Sequence, residues 1–315
     1  MNYFTILHGS YLRNRIRSVC KSCNSYLSQQ ETRKGGFLRT ISLLFLGLII
    51  AVSVQAQAPI VHDISTGSLT ISGTSNYVIT GSTTTNRVIV SSGYKGSITL
   101  RNLTIKSETA SHNTVGYSPF TVLGQYNCSN LAPITKVNII LEGKNELLYT
   151  GAGYACLQVD QGAQIEISAI DPNDNESGTL SAKATRFTPG SADIPIAGAG
   201  IGAPTANGLS ETVCRQGTSS LSCGGTGNTA GGNIIISSGT ITAWGGHASG
   251  IGGGYRTYYN GIVIVYGGIV EARGGYDSAG IGSGCPTGSG VLECYAENST
   301  VIALPPAQIA AYGAG

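Results

Sequence analysis

Apolar residues along this chain fall at every second position in short runs, and glycines or polar residues separate the runs. Ile165 and Ile167, and Ile241 and Ala243, show the alternation. A strand with that period has one buried face. Val88-Ile89-Val90, Ile98-Thr-Leu100, Leu103-Thr-Ile105 and Val137-Asn-Ile139-Ile-Leu141 read as strands of the same kind. No window between the runs carries a helical apolar stripe, which argues against βαβ units. Glycine pairs between strands fit turns that need positive φ.

The runs repeat. Ile234-Ile235-Ile236-Ser-Ser-Gly239-Thr-Ile241-Thr-Ala243-Trp-Gly245 returns one unit later as Val263-Ile264-Val265-Tyr-Gly-Gly268-Ile-Val270-Glu-Ala272-Arg-Gly274. Ser249-Gly250-Ile251-Gly252 returns as Ala279-Gly280-Ile281-Gly282, with an earlier copy at Ala199-Gly200-Ile201-Gly202 and a weaker one at Tyr154-Ala155-Cys156-Leu157. Val301-Ile-Ala303 and Tyr312-Gly313-Ala314-Gly315 begin another copy, so the repeat domain is expected to run on past residue 315. A unit of about 30 residues cannot bury its apolar face alone, whereas stacked units share a continuous core. The expected fold is therefore all-β, a right-handed parallel β-helix solenoid over residues 57–315. Ile201, Ile251 and Ile281 should share one interior column. A propeller blade needs a longer repeat, and sandwich strands would not carry this local one. Residues 203–231 read as a Gly/Ser/Thr-rich insertion and residues 171–178 as a polar loop.

Composition agrees with strands and tight turns: 46 glycines, 11% charged residues and a single Met, without the three-residue glycine period of collagen. Charge is uneven. Of 18 basic and 16 acidic residues, seven basic and one acidic lie at or before Ala56, leaving 11 against 15, a net of −4 beyond it. A mildly acidic chain without a basic stripe argues against nucleic acid as partner.

The segment 1–56 reads as a leader. Arg33, Lys34 and Arg39 precede the apolar run Ile41 to Val54, and Val54-Gln55-Ala56 is a small-x-small cleavage site. Cleavage after Ala58 would place Pro59 first, which signal peptidases disfavour. The apolar run is short against the roughly 20 residues of a bilayer span. Export to the cell surface or medium, with no transmembrane span left after cleavage, is the expectation. Cys20 and Cys23 form a CxxC with no second pair nearby, a weak zinc signal. Of the other six cysteines, Cys214 and Cys223, and Cys285 and Cys294, share the same spacing and each pair follows a GIG element. In an oxidising compartment each pair is expected to close a loop by a disulfide, with Cys128 and Cys156 as the remainder.

Arg87-Val-Ile-Val-Ser-Ser92, Ile98-Thr-Leu-Arg-Asn-Leu-Thr-Ile105, Val137-Asn-Ile-Ile-Leu-Glu-Gly-Lys-Asn145 and the three GIG copies carry a resemblance. Over about residues 65–315 the chain resembles the glycine-rich β-helix surface proteins of gut Bacteroidales, often labelled carbohydrate-binding-domain-like. The resemblance implies a large, modular envelope protein; it is specific for architecture and poorly specific for activity.

Candidate chemistry is sparse. A lyase acting on uronates needs an Arg or Lys base and carboxylates that hold Ca²⁺. After residue 150 the one lysine is Lys183, the arginines are Arg186, Arg215, Arg256 and Arg273, and acids such as Asp160, Glu166, Asp193, Glu271, Asp277 and Glu293 are scattered. No catalytic residue is assigned, although stacked units can bring distant carboxylates together as in a glycoside hydrolase. Asp171-Pro-Asn173-Asp174-Asn175-Glu176-Ser-Gly178 is oxygen-rich enough for Ca²⁺ but has Glu176 where an EF-hand needs glycine, so a solvated turn is the plainer reading. His62, His112 and His247 show no ligand spacing, and no other metal or cofactor is implied. Asp277-Ser278-Ala279 resembles a short O-glycosylation signal of Bacteroidetes. Trp244, Tyr255, Tyr258, Tyr259 and Tyr276 fall between repeat strands or after GIG motifs, and Trp244 aligns with Arg273 one unit later. These aromatics form the candidate carbohydrate-binding set, a platform on one face; rim packing is the structural alternative. An adhesin or glycan-binding scaffold is thus the favoured reading, and a polysaccharide lyase or hydrolase in a groove is the alternative.

Overall fold

Over its described residues the chain weaves between two parallel sheets, one of seven strands and one of twelve. The computed structural model describes residues 58–108, 117–125, 133–151, 153–184, 198–204, 231–254, 261–275, 278–282, 284, 300–304 and 307–313. All of them belong to the unit Gln57–Gly315. Among them the one helical element is a 3-10 turn, Ile64–Thr66, where the Asp63 side chain accepts from Ser65 N. No helix among the described residues is long and apolar enough to cross a membrane.

The seven-stranded sheet stacks β2 (Leu69–Ile71), β4 (Val88–Val90), β6 (Phe120–Val122), β8 (Leu157–Val159), β11 (Ile201–Gly202), β14 (Ile251–Gly252) and β17 (Ile281–Gly282) in chain order. The other sheet begins with β1 (Ile60–Asp63), β3 (Tyr77–Thr83), β5 (Lys95–Ser107) and β7 (Thr135–Tyr149), and forks at β7. The first half of β7 pairs with β9 (Ala163–Ala169), followed by β12 (Asn233–Ile236), β15 (Ile262–Val265) and β18 (Thr300–Ala303). Its second half pairs with β10 (Gly178–Lys183), followed by β13 (Thr240–Trp244), β16 (Ile269–Arg273) and β19 (Gln308–Tyr312). Each visit to the short sheet is thus followed by a return to the long one.

In-register pairing converts sequence alternation into columns. Val137, Ile165, Ile234 and Val263 lie one above the other, as do Ile98, Ile139, Ile167, Ile236 and Val265. Leu180, Ile241 and Val270 form a third column. Val88, Phe120, Leu157, Ile201 and Ile251 form the column of the short sheet. Every one of these side chains is at most 1% exposed. Full burial of such a side chain is worth about 1.5–3 kcal/mol. Ile281 continues the Ile201–Ile251 column, partly buried and packed on the core.

The fork is sealed by amides. Asn145, 2% exposed, accepts from Leu103 N at 2.9 Å and donates to Thr179 O at 3.1 Å, so one side chain ties β5 and β10 to the bend in β7. Asn102, at φ 48°, accepts from Lys144 N at 3.2 Å beside it. Asn tolerates the left-handed region better than most residues.

Glycine is obligatory at the GIG ends. Gly202, Gly252 and Gly282 pair in series at φ 138°, 126° and 134°. A Cβ on Gly202 would overlap the Gly252 carbonyl, and one on Gly252 would overlap that of Gly282.

Two expectations are corrected. The weak copy at Tyr154–Leu157 is offset by one: Leu157, not Cys156, pairs with Ile201, and Cys156 N donates to Ala199 O where Gly200 N donates to Ser249 O one unit later. Cys156 is free and fully buried, against the expected link to Cys128, and its burial pushes the thiol well above the ordinary range. Ser278, whose tripeptide resembled a glycosylation signal, is only 4% exposed and donates to His247 O at 3.3 Å. The leader with its Ala56 cleavage site, Cys20, Cys23, Cys128, His112 and the cysteines Cys214, Cys223, Cys285 and Cys294 lie outside the described residues.

Two outcomes follow from this packing. Gly252→Ala should destabilise by about 1–3 kcal/mol from backbone strain alone, and by more through the overlap with Gly282. Gly67→Ala, where the backbone is extended and no neighbour crowds the Cβ position, should stay within about 0.5 kcal/mol. Urea unfolding of both variants compares them directly.

Tyr94 gives the second. It is 1% exposed, donates to Ser75 O at 2.8 Å and meets Tyr77 edge-on at 6.5 Å. Burial, with Tyr77 beside it, pushes its hydroxyl up to about 12. The unfolded chain releases that proton near pH 10, so between about 10 and 12 the folded state binds more protons and stability falls as pH rises. Below pH 10 the contribution is intact. Tyr94→Phe should flatten the decline of the unfolding midpoint over that window relative to wild type.

Candidate functional site

Strand alternation sends the last residue of β10, β13, β16 and β19 outward, and pairing aligns them. Lys183 pairs with Trp244, Trp244 with Arg273, and Arg273 with Tyr312. Earlier in the stack the column holds Lys106 of β5 and Leu148 of β7. The outward column therefore reads Lys106, Leu148, Lys183, Trp244, Arg273, Tyr312.

The rings and cations touch. Lys183 Nζ lies 4.1 Å from the Trp244 ring centroid and Arg273 Cζ lies 4.9 Å from it. Arg273 Cζ is also 5.3 Å from the Tyr312 ring. Trp244 thus sits, half-buried, between the cations of two adjoining strands. Contacts of this kind are worth about 0.5–1 kcal/mol when exposed. Trp244 Nε1 is buried and has no hydrogen-bond partner among the described residues. Acids fix the outer cations: Glu271 Oε1 meets Arg273 Nε at 2.6 Å, and Glu146 Oε2 meets Lys106 Nζ at 3.1 Å. Both pairs are solvent-facing and individually weak. They orient the cations more than they stabilise the fold.

The neighbouring outward column is Glu146, Ser181, Thr242, Glu271 and Ala310. Its two carboxylates stand three strand steps apart, about 14 Å at the usual spacing. That exceeds the roughly 5–9.5 Å over which paired carboxylates work in glycoside hydrolysis. The hydroxyls of Ser181 and Thr242 lie between them.

The oxygen-rich loop is committed elsewhere. Asp171 Oδ1 accepts from Asn173 N at 3.0 Å, Asp174 Oδ1 from Glu176 N at 2.9 Å, and Asn175 Oδ1 from Gly239 N at 2.9 Å. Ser177 Oγ donates to Asp174 O at 2.7 Å. The loop closes on itself and ties the start of β10 to the turn before β13. Among the described residues no group of three or more His, Cys, Asp or Glu side chains is placed to hold a metal.

Of the expected aromatic set, Trp244 is placed, on the outward column beside Arg273 as its alignment implied. Tyr255, Tyr258, Tyr259 and Tyr276 lie outside the described residues. Lys183 and Tyr312 belong to the same column and were missed by inspection of the sequence. The signal was there: Gly178-Thr-Leu-Ser-Ala-Lys183 is a copy of Gly239-Thr-Ile-Thr-Ala-Trp244.

Comparison of the chain with protein-family models, with curated proteins and with solved structures found no match. The column itself, and the stacked sheets that create it, are the basis for any functional reading.

Replacing Trp244 tests the column's structural share. Trp244→Ala removes both cation contacts and should cost about 1–2 kcal/mol in urea unfolding, while Trp244→Phe should recover much of it. Far-ultraviolet circular dichroism should be unchanged in both, because the side chain lies outside the apolar columns.

Proposed function

We propose that residues 57–315 form a parallel β-helix serving as a non-catalytic, glycan-binding or adhesive scaffold, exported by the leader and displayed at the cell surface. The single observation that carries this reading is the outward column in which cations alternate with Leu148, Trp244 and Tyr312, beside the hydroxyls of Ser181 and Thr242. Sugar rings offer apolar faces, and their hydroxyls and carboxylates need donors; such a column supplies both kinds of contact repeatedly. The two parallel sheets, with one repeat stacked on the next, support the β-helix. The likeness of the GIG copies and early strands to Bacteroidales surface proteins supports the surface role. Right-handed winding is the default for parallel crossovers. The wide separation of Glu146 and Glu271 gives no support to paired-carboxylate catalysis on this face.

Affinity per site is expected to be weak. Apolar contact contributes about 25 cal/mol per Å², and association and desolvation remove much of it. Dissociation constants of roughly micromolar to millimolar are the expectation, with avidity on polymers. A glycan array and polysaccharide-cleavage assays on the purified protein check this: binding without new reducing ends or unsaturated products is the expected result. Release of such products from any polysaccharide would replace the scaffold by an enzyme, and a blank array would remove the glycan role.

A further inference from the structure

Resting on the glycan-binding reading, we propose that the outward column selects a linear anionic polysaccharide bearing a carboxylate on every second sugar, laid across the strands along the direction in which they stack. The column alternates strictly in kind: Lys106, then Leu148, Lys183, then Trp244, Arg273, then Tyr312. Cations therefore recur every second strand, at about 9.6 Å. A linearly linked pyranose polymer advances by close to one strand spacing per sugar. Carboxylates on alternate sugars then fall in step with Lys106, Lys183 and Arg273, while the intervening neutral sugars meet Leu148, Trp244 and Tyr312.

The donors needed are present. Glu271 engages Arg273 through Nε, which leaves the guanidinium Nη groups for a carboxylate. Lys183, between the two acid-paired cations, has no carboxylate partner among the described residues and is held against Trp244. Ser181 and Thr242 stand beside Lys183 and Trp244 on the same face and can bond sugar hydroxyls. A polymer charged on every sugar fits less well. Half of its carboxylates would lie over the apolar surfaces of Leu148, Trp244 and Tyr312, and Lys183 and Arg273, already engaged by the carboxylates in phase with them, could not pair with the rest.

Hyaluronan tests this, because it is linear and carries one carboxylate per two sugars; carboxyl-reduced hyaluronan is its neutral counterpart, and polygalacturonate bears a carboxylate on every sugar. Equilibrium binding to the full chain is measured at low and physiological salt. Hyaluronan should bind most tightly and weaken as salt is raised. Carboxyl reduction should weaken it about tenfold, as should Lys183→Met combined with Arg273→Met, which keep the packed stems. Lys183→Arg should retain affinity, and Glu271→Gln should tighten it by removing a repelling charge. Thermal unfolding of the double variant establishes that it is folded. Equal affinity for carboxyl-reduced and native hyaluronan, equal or tighter binding of polygalacturonate, or a folded double variant that binds as wild type would overturn the proposal while leaving glycan binding to another face. Absence of binding to these three polymers, with hits elsewhere on the glycan array, would also sink it alone. A blank array would remove both readings together.

Discussion

Parallel strands hydrogen-bonded in register place each residue directly above its counterpart one repeat away, at the fixed spacing between strands. Everything else in this chain follows from that constraint. Where the stacked residues face inward, like must tolerate like at close range, and aliphatic columns such as Ile98–Ile139–Ile167–Ile236–Val265 satisfy it. Where the backbone bends sharply, only residues able to adopt the bend can be stacked, which explains the series Gly202, Gly252, Gly282. Where the stack faces water, cations and rings settle against each other, as Lys183, Trp244 and Arg273 do.

The constraint acts on strands and leaves the connections free. Ile241 pairs with Val270 one regular unit on, yet the step from Tyr77 to its partner Ile98 is shorter, and the step from Ile98 to Ile139 is longer. Segments between strands can lengthen without disturbing the columns, because loop closure grows only slowly more costly with length. Some of the polar side chains that become buried bridge repeats. Asn145 bonds to the chain above and below, and Ser238 Oγ accepts from Ala169 N at 3.0 Å. Each satisfies a backbone group that the bend or turn would otherwise leave bare.

The same geometry limits what the outer face can do. Groups on one column are held at multiples of the strand spacing, so two carboxylates on well-separated strands cannot close on one bond, whereas contacts to a repeating ligand come naturally into phase. On the described face Glu146 and Glu271 stand three strand steps apart, and the column from Lys106 to Tyr312 alternates cations with Leu148 and two rings.

The sequence by itself determined the period-two strands, the inward faces, the identity of the repeated Gly-x-Ile-x-Ala and GIG elements, and the stacking of Ile201, Ile251 and Ile281. Each of these is a local pattern or a near-identical copy, and copies align without knowledge of the intervening loops. Only the tertiary structure decided how degenerate copies pair. Cys156 looked equivalent to Ile201 and proves equivalent to Gly200, because one residue of slip is invisible in a short, weak likeness in which both Cys156 and Leu157 are buried. Lys183 and Trp244 lie on either side of the long insertion; the local copies align them, but only the pairing of β10 with β13 shows that their side chains touch. Inward or outward orientation is written in the alternation of residues; which outward side chains touch depends on pairing across connections of unequal length, and those lengths carry no rule for it.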